Sequence, residues 1–175
     1  MKMLARTTFA AIACALVGVS IAAAQPAPMG CSSDHQANAA QTLRCGGSVT
    51  IVAENGAKFT LQDRDKNGSV DSVDLQSKAL LVDAPRQRGK SRFQVTTPQV
   101  IAAVRGTKWA VDAQETRTSV LVLQGQVAVR RSTVASQVVL LGPGEGVDVE
   151  PGTGPLTVKR WPEARVTALL ARLGQ

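Results

Sequence analysis

Residues 63–74, DRDKNGSVDSVD, carry six oxygen-bearing side chains at regular intervals. Counted from the first aspartate, they occupy positions 1, 3, 5, 7, 9 and 12, and glycine occupies position 6, as in the calcium loop of an EF-hand. Clustered oxygens suit a hard cation, and glycine allows the sharp turn that brings early and late ligands together. The spacing therefore predicts a calcium site. Its ligands would be Asp63, Asp65, Asn67, Ser69, Asp71 and Asp74, with Gly68 at the turn.

A polar hairpin loop without metal explains the same residues. Arg64 and Lys66 offset the acids, and Asn67-Gly68 is a common turn dipeptide. The last ligand position holds aspartate, whose shorter side chain reaches less easily as a bidentate ligand than glutamate. The flanking residues 58–62 and 75–82 have the pattern of strands, so the paired helices of an EF-hand are missing. Both interpretations stay open, and the predicted cofactor is either none or Ca²⁺.

The surrounding elements are predominantly strands. Valine-rich segments with alternating apolar residues recur at short intervals, separated by Gly, Asn-Gly and Pro. They predict an all-β fold of about a dozen short strands, arranged in a two-sheet sandwich or a short β-solenoid. The apolar run 138–141 indicates a strand covered on both faces. Residues 162–173 differ, because apolar residues at 166, 169, 170 and 173 predict one C-terminal amphipathic helix that caps an open end of the β core or, alternatively, binds a partner.

Residues 1–24 have the organisation of a secretory signal peptide. Lys2 and Arg6 precede an apolar stretch of about 15 residues, shorter than the ~20 that a membrane span needs, and three alanines follow it. Cleavage predicts a periplasmic or secreted protein with no transmembrane segment. It would leave 18 basic and 13 acidic residues, a net charge of +5. An exported protein rarely meets nucleic acid, so the sequence predicts no nucleic-acid partner despite this positive charge.

The rest of the chain divides into three parts. Residues 25–45 are poor in large apolar side chains and predict a loosely ordered arm. Residues 46–158 form the β domain, and residues 159–175 contain the helix.

Cys31 and Cys45 would remain after cleavage. An even pair in an exported chain predicts a disulfide, which closes a loop of about 15 residues and is worth roughly 3 kcal/mol. A zinc site with His35 is the alternative, but it lacks a fourth ligand and the usual paired spacing.

Residues for catalysis are scarce. His35 is the single histidine, and it falls in the predicted arm rather than in the β domain. No Cys-x-x-Cys pair and no recognisable pair of carboxylates on separate strands occurs. The sequence therefore predicts a protein that is not an enzyme.

One long stretch carries a family resemblance. The sequence VTTP…VRGTKWAV…TSVLVLQGQVAV, followed by VVLLGPGEGVDV, resembles the FecR domain over residues 48–149. The VRGT turn is the most specific part of the match. The motif residues are Thr97, Pro98, Arg105, Gly106 and Thr107, which the resemblance indicates are determinants of the fold.

The resemblance implies a periplasmic all-β recognition module without catalytic residues. The sensor members of that family combine a cytoplasmic anti-sigma segment, one membrane helix and a periplasmic domain, whereas this chain has a predicted cleavable signal. The expected function is a recognition, signalling or scaffold module of the bacterial envelope. Its partner would be an envelope protein or a cell-wall component. The alternative function is a secreted calcium-binding structural protein.

Overall fold

The computed structural model describes residues 30–34, 40–46, 48–86, 92–104, 106–134 and 137–175. The predicted signal peptide, His35 and Arg105 lie outside the described residues. Within the described part, thirteen strands precede one helix. They are β1 (Ser32–Asp34), β2 (Gln41–Cys45), β3 (Val49–Ala53), β4 (Lys58–Gln62), β5 (Ser72–Ala84), β6 (Phe93–Thr96), β7 (Val100–Val104), β8 (Thr107–Ala113), β9 (Thr118–Gln124), β10 (Val127–Arg131), β11 (Val138–Leu141), β12 (Glu145–Val149), β13 (Val158–Arg160) and α1 (Glu163–Arg172). The predicted all-β class with one C-terminal helix is confirmed.

The sheet is organised around β5, its longest strand. The first half of β5 pairs with β4 and β6, and the second half pairs with β3 and β8. On one side the order continues through β6, β7 and β10 to β11, and on the other through β8, β9 and β12 to β13. The strands β2 and β1 extend the sheet beyond β3. A single strand therefore joins both halves of the molecule.

The prediction of a two-sheet sandwich is wrong, because the strands form one continuous, barrel-like sheet. Parallel coils of a solenoid are not formed either, since every described strand pair except β5–β6 is antiparallel. The continuity depends on β5. Its sequence holds two apolar runs, which the polar residues Gln76, Ser77 and Lys78 separate. Lys78 has φ +67° and lies where β5 passes from one pair of neighbours to the other.

The main core fills the inside of this sheet with aliphatic side chains. Ile51, Leu80, Val111 and Val120 are fully buried there. Trp109 is also fully buried and contacts Phe93 edge-to-face, with ring centroids 6.0 Å apart. Valine suits this arrangement because its branched side chain packs well on a pleated surface.

A second apolar cluster lies on the outer face of the sheet, beneath α1. On this face, strands β3, β5, β8 and β9 each contribute one apolar residue to a row of cross-strand neighbours: Val52, Leu81, Ala110 and Leu121. The helix packs Leu169 and Leu173 against the row, and Trp161 joins them just before the helix begins. The predicted apolar stripe is therefore used inside the molecule. It covers a sheet face rather than an end of the core.

Two arginines of α1 pair with acids on the sheet. Arg165 contacts both carboxylate oxygens of Asp148, at 2.5 and 2.9 Å, and its guanidinium lies 3.5 Å from the centroid of the Trp161 ring. Burial raises the pKa of Asp148, but hydrogen bonds from Arg165 and Ser119 outweigh this and lower it below 3.8.

Arg172 contacts Asp112 at 2.8 Å and Glu54 at 2.6 Å. These hydrogen bonds raise the pKa of Arg172. Ion pairs at both ends of the helix thus fix its position on the sheet.

Parts of the predicted arm are ordered in the structure. β2 pairs along its whole length with β3, and β1 pairs with β2. Leu43 and Cys45 are buried, because alternate residues of β2 face the core. Cys31, which directly precedes β1, forms a disulfide with Cys45 at the end of β2. Within the described residues, no helix is both long and apolar enough to cross a membrane.

We expect both cysteines to be oxidised in the exported protein. Denatured, unreduced protein should react with no equivalents of a thiol reagent, and with two equivalents after reduction. Labelling of two thiols without reduction would contradict the disulfide. We expect Cys31→Ser and Cys45→Ser to lower the free energy of unfolding by the same amount, roughly 3 kcal/mol, since either substitution opens the same loop.

Candidate functional site

Three of the six predicted calcium ligands converge in the structure. Asp63, Asp65 and Asp71 each offer one carboxylate oxygen, and these atoms lie within 4.8 Å of one another. Asp63 is held by the loop backbone, because it accepts hydrogen bonds from the N–H groups of Asn67 at 3.0 Å and Gly68 at 2.7 Å. Gly68 has φ +82°, a conformation that glycine adopts without strain.

The backbone contacts of Asp63 favour its ionised form. Partial desolvation raises the pKa of Asp63, but the backbone N–H groups of Gly68 and Asn67 outweigh it, and the pKa falls below 3.8. Asp63 is therefore ionised at neutral pH, as a cation ligand must be.

Asp71 already has a positive partner. The Nε atom of Arg64 lies 3.3 Å from Oδ1 of Asp71, and the backbone N–H groups of Arg64 and Asp65 donate to the same carboxylate. The guanidinium of Arg64 also donates to Gln94. A bound cation would thus compete with Arg64 for Asp71.

The other predicted ligands are placed differently. Asp74 belongs to β5, where it accepts a hydrogen bond from Gln76 and pairs through the backbone with strands β4 and β6. It is not one of the three clustered acids. Asn67 accepts a hydrogen bond from the N–H group of Ser69. The loop therefore brings Asp63, Asp65 and Asp71 together, while Asp74, at position 12 of the EF-hand pattern, lies in β5.

Thr97 of the family motif has a structural role. Its hydroxyl is buried, accepts the backbone N–H of Val100 at 3.0 Å and lies 2.9 Å from the hydroxyl of Thr118. Thr118 in turn donates to the side chain of Gln99. The carbonyl of Pro98 accepts a hydrogen bond from the hydroxyl of Ser132. These contacts connect the β6–β7 corner to β9 and to the residues that follow β10.

The glycine turn of the motif packs against a second hairpin. Gly106 has φ +72°, and a β-carbon added to it would lie 2.8 Å from the β-carbon of Arg86. A β-carbon on Gly125 would lie 2.6 Å from the carbonyl oxygen of Gly106. The hydroxyl of Thr107 donates to the carbonyl of Gln126. The described motif residues thus hold turns together and present no exposed reactive group.

An apolar surface patch lies at one end of the sheet. Val138 and Leu140 are 55% and 64% exposed, and they are the exposed large hydrophobic side chains of the described residues. Strand register and alternating burial place the partly exposed side chains of neighbouring strands beside them. We name this surface the β11 patch; it consists of Ile101, Ala103, Ala128, Val138 and Leu140.

The prediction that residues 138–141 are covered on both faces is wrong. Only Leu141 is fully buried, and partly buried Val139 packs on the core, whereas the opposite face of β11 has no covering element among the described residues. An apolar run of four residues has no alternation that would distinguish these cases. The exposure of Val138 and Leu140 could therefore not be predicted from the sequence.

Comparison with known proteins identifies the domain. The family model described as FecR protein matches residues 35–128, over half of the chain. No curated protein matches the sequence. Crystal structures at 2.50 and 1.65 Å of a protein described as a "putative anti-sigma factor" from Parabacteroides distasonis ATCC 8503 each superpose with a TM-score of 0.61 at 21% identity.

The superposition covers 76% of this chain and 61% of the Parabacteroides chain, so this chain spans less than two thirds of that protein. At this identity the likeness concerns the fold. The family match covers the Thr97-Pro98 corner, the Gly106 turn, β9 and Gly125. The chain belongs to the FecR family.

Proposed function

We propose that this chain is a non-enzymatic recognition module of the bacterial envelope, which serves signalling or assembly by binding another protein. The β11 patch is the observation that carries the proposal. Val138 and Leu140 expose apolar surface beside three further apolar side chains, and contiguous patches of this kind on soluble proteins mark interaction sites. Membership of the FecR family and the anti-sigma description of the Parabacteroides protein support a regulatory role.

The proposed location is the periplasm or the extracellular space. The organisation of residues 1–24 and the disulfide between Cys31 and Cys45 support it, since disulfides persist in oxidising compartments. The proposed partner is an envelope protein, with a cell-wall component as the alternative ligand class.

In vivo photo-cross-linking tests this function. A photoreactive amino acid is placed in turn at four exposed positions on different parts of the surface: Thr60, Glu115, Leu140 and Lys159. After irradiation of the native host and separation of cell fractions, we expect a protein adduct from at least one position in the envelope fraction. An intact signal peptide, or the absence of a protein adduct at all four positions, would contradict the proposal.

Calcium binding by the loop is a second candidate function, supported by the convergence of Asp63, Asp65 and Asp71. A ligand at 100 times its dissociation constant stabilises the folded state by about 2.7 kcal/mol. For a domain of this size that corresponds to a rise in melting temperature of about 5–10 °C. We therefore predict a higher melting temperature in millimolar calcium than in EDTA.

Two variants distinguish calcium binding at the acid cluster from calcium binding elsewhere. Asp63→Ala should remove the calcium-dependent shift, because it deletes a member of the cluster. Asp74→Ala should keep the shift, because Asp74 lies in β5 and outside the cluster. For each protein, the melting temperature in EDTA is subtracted from that in calcium, and these differences are compared. This is necessary because each substitution can also change stability in EDTA. Coincident wild-type curves would leave residues 63–71 as a turn without metal.

A further inference from the structure

β11 differs from the other edge strands of the sheet. Within the described residues, four strands have a partner on one side only: β1, β4, β11 and β13. Three of them carry charge, at Asp34, Lys58, and Lys159 with Arg160. Charged side chains on an edge strand discourage pairing with another chain. β11 reads Val-Val-Leu-Leu and has no such protection.

Arg130 lies among the side chains of the β11 patch, and it has no acidic partner among the described residues. Arg130 belongs to β10, where it lies opposite Val138 of β11 on one side and opposite Ile101 of β7 on the other. Among the described residues, the guanidinium of Arg130 donates one long hydrogen bond, 3.5 Å to the carbonyl of Arg131, and no carboxylate pairs with it. A half-buried guanidinium in apolar surroundings favours an incoming carboxylate.

Further along the same face the sheet becomes polar, at Gln94 and Thr96. The apolar region is therefore confined to the end of the sheet where the edge is open.

We propose that β11 is a docking strand, to which an extended segment of a partner protein adds as the next strand of the sheet. This inference rests on the proposed function, for which it names the surface and the mode of binding. The backbone of the segment would pair with the open edge of β11, while alternate apolar side chains would lie beside Val138 and Leu140. An acidic side chain of the segment pairs with Arg130.

The spacing of strands permits that ion pair. Arg130 and the added segment lie on opposite sides of β11, about 9.5 Å apart at two strand spacings. An arginine and a glutamate that extend toward each other above Val138 span this distance. A second copy of the chain fits less well, because residues 138–141 include no acid and Arg130 would stay without a partner.

The experiment uses the full chain in its native host. A photoreactive amino acid at Leu140 should cross-link to a partner, and mass spectrometry of the adduct should map it to an extended segment that carries an Asp or Glu. Val138→Lys should reduce the yield at Leu140 at least tenfold, because it places charge on the edge strand. Arg130→Glu should reduce it similarly, and an Arg in place of the mapped acid should restore it.

Lys159→Glu is the matched control, a charge reversal on the opposite edge strand, and should leave the yield at Leu140 unchanged. Melting temperatures of the purified variants should equal that of the wild type, since these side chains are at the surface. An adduct of the mass of two copies would overturn the proposal in favour of a homodimer. Adducts from Thr60, Glu115 or Lys159 but not from Leu140 would overturn the docking strand and leave the proposed function standing.

Discussion

Gly106→Val should destabilise the domain by several kcal/mol. The backbone of Gly106 has φ +72°, where a β-branched residue is a genuine outlier. Strain of this kind costs about 1–3 kcal/mol. The new side chain would also begin 2.8 Å from the β-carbon of Arg86, and overpacking costs typically another 1–3 kcal/mol. The expected loss is therefore about 2–6 kcal/mol, against about 5–15 kcal/mol for a whole domain.

Urea unfolding of the purified mature protein measures this loss. Gly154→Val is the matched control, because no atom lies within 4 Å of a β-carbon at Gly154 and its φ is not in the left-handed region. The control should stay within about 0.5 kcal/mol of the wild type. Equal midpoints for Gly106→Val and the wild type would show that residue 106 does not hold the left-handed conformation.

The glycine turn supports two hairpins at once, which is why one substitution has so large an effect. Gly125 approaches the carbonyl of Gly106 so closely that a β-carbon has no room, and the hydroxyl of Thr107 bonds to the carbonyl of Gln126. A shift at Gly106 is therefore transmitted to the start of β8 and to the β9–β10 hairpin. These contacts account for Gly106 and Thr107 of the motif through packing.

Local patterns were sufficient to predict some elements. β4 occupies the range 58–62 that the strand pattern of those residues predicts. Helix α1 begins after Pro162, which is its N-cap, and ends before Gly174. In these elements each residue faces the core or solvent according to the period of its own secondary structure, so sequence spacing carries the information.

Long-range pairing could not be predicted in the same way. Lys78 has a left-handed backbone inside β5, and no pattern indicates that two short apolar runs form one strand joining the halves of the sheet. The spacing of residues 63–74 predicts six calcium ligands. The structure brings Asp63, Asp65 and Asp71 together, whereas Asp74 pairs in β5, where long-range strand pairing determines its position. The exposure of Val138 and Leu140 depends on β11 being the last strand on its side, which is a property of the topology.

Gly146→Ala should loosen helix α1 from the sheet while the β core stays folded. A β-carbon at Gly146 would collide with the indole Nε1 of Trp161 and would lie 2.7 Å from the carbonyl oxygen of Val120. Trp161 must therefore move, and it belongs to the outer cluster with Leu169 and Leu173. Overpacking costs about 1–3 kcal/mol. The population of the open helix should rise about 5- to 150-fold, since each 1.4 kcal/mol is a factor of ten.

Native-state hydrogen exchange measures this opening residue by residue. The amides of α1 should exchange faster in Gly146→Ala, whereas those of β8 and β9 should keep their protection, because the inner core is a separate cluster. Gly154→Ala is the control and should leave both regions unchanged. An equal loss of protection in α1, β8 and β9 would mean that the clash distorts the sheet itself.

A double-mutant cycle with Trp161→Ala separates these causes. Trp161→Ala alone should destabilise attachment of the helix by about 3–5 kcal/mol, the usual cost of truncating a buried tryptophan. If the indole is the group that the new β-carbon displaces, Gly146→Ala should cost at least about 1 kcal/mol less in the Trp161→Ala background than alone. A remainder is expected, because the carbonyl of Val120 still opposes the β-carbon. Strictly additive effects would show that Gly146 is constrained by its own strand, and that Trp161 does not need glycine beneath it.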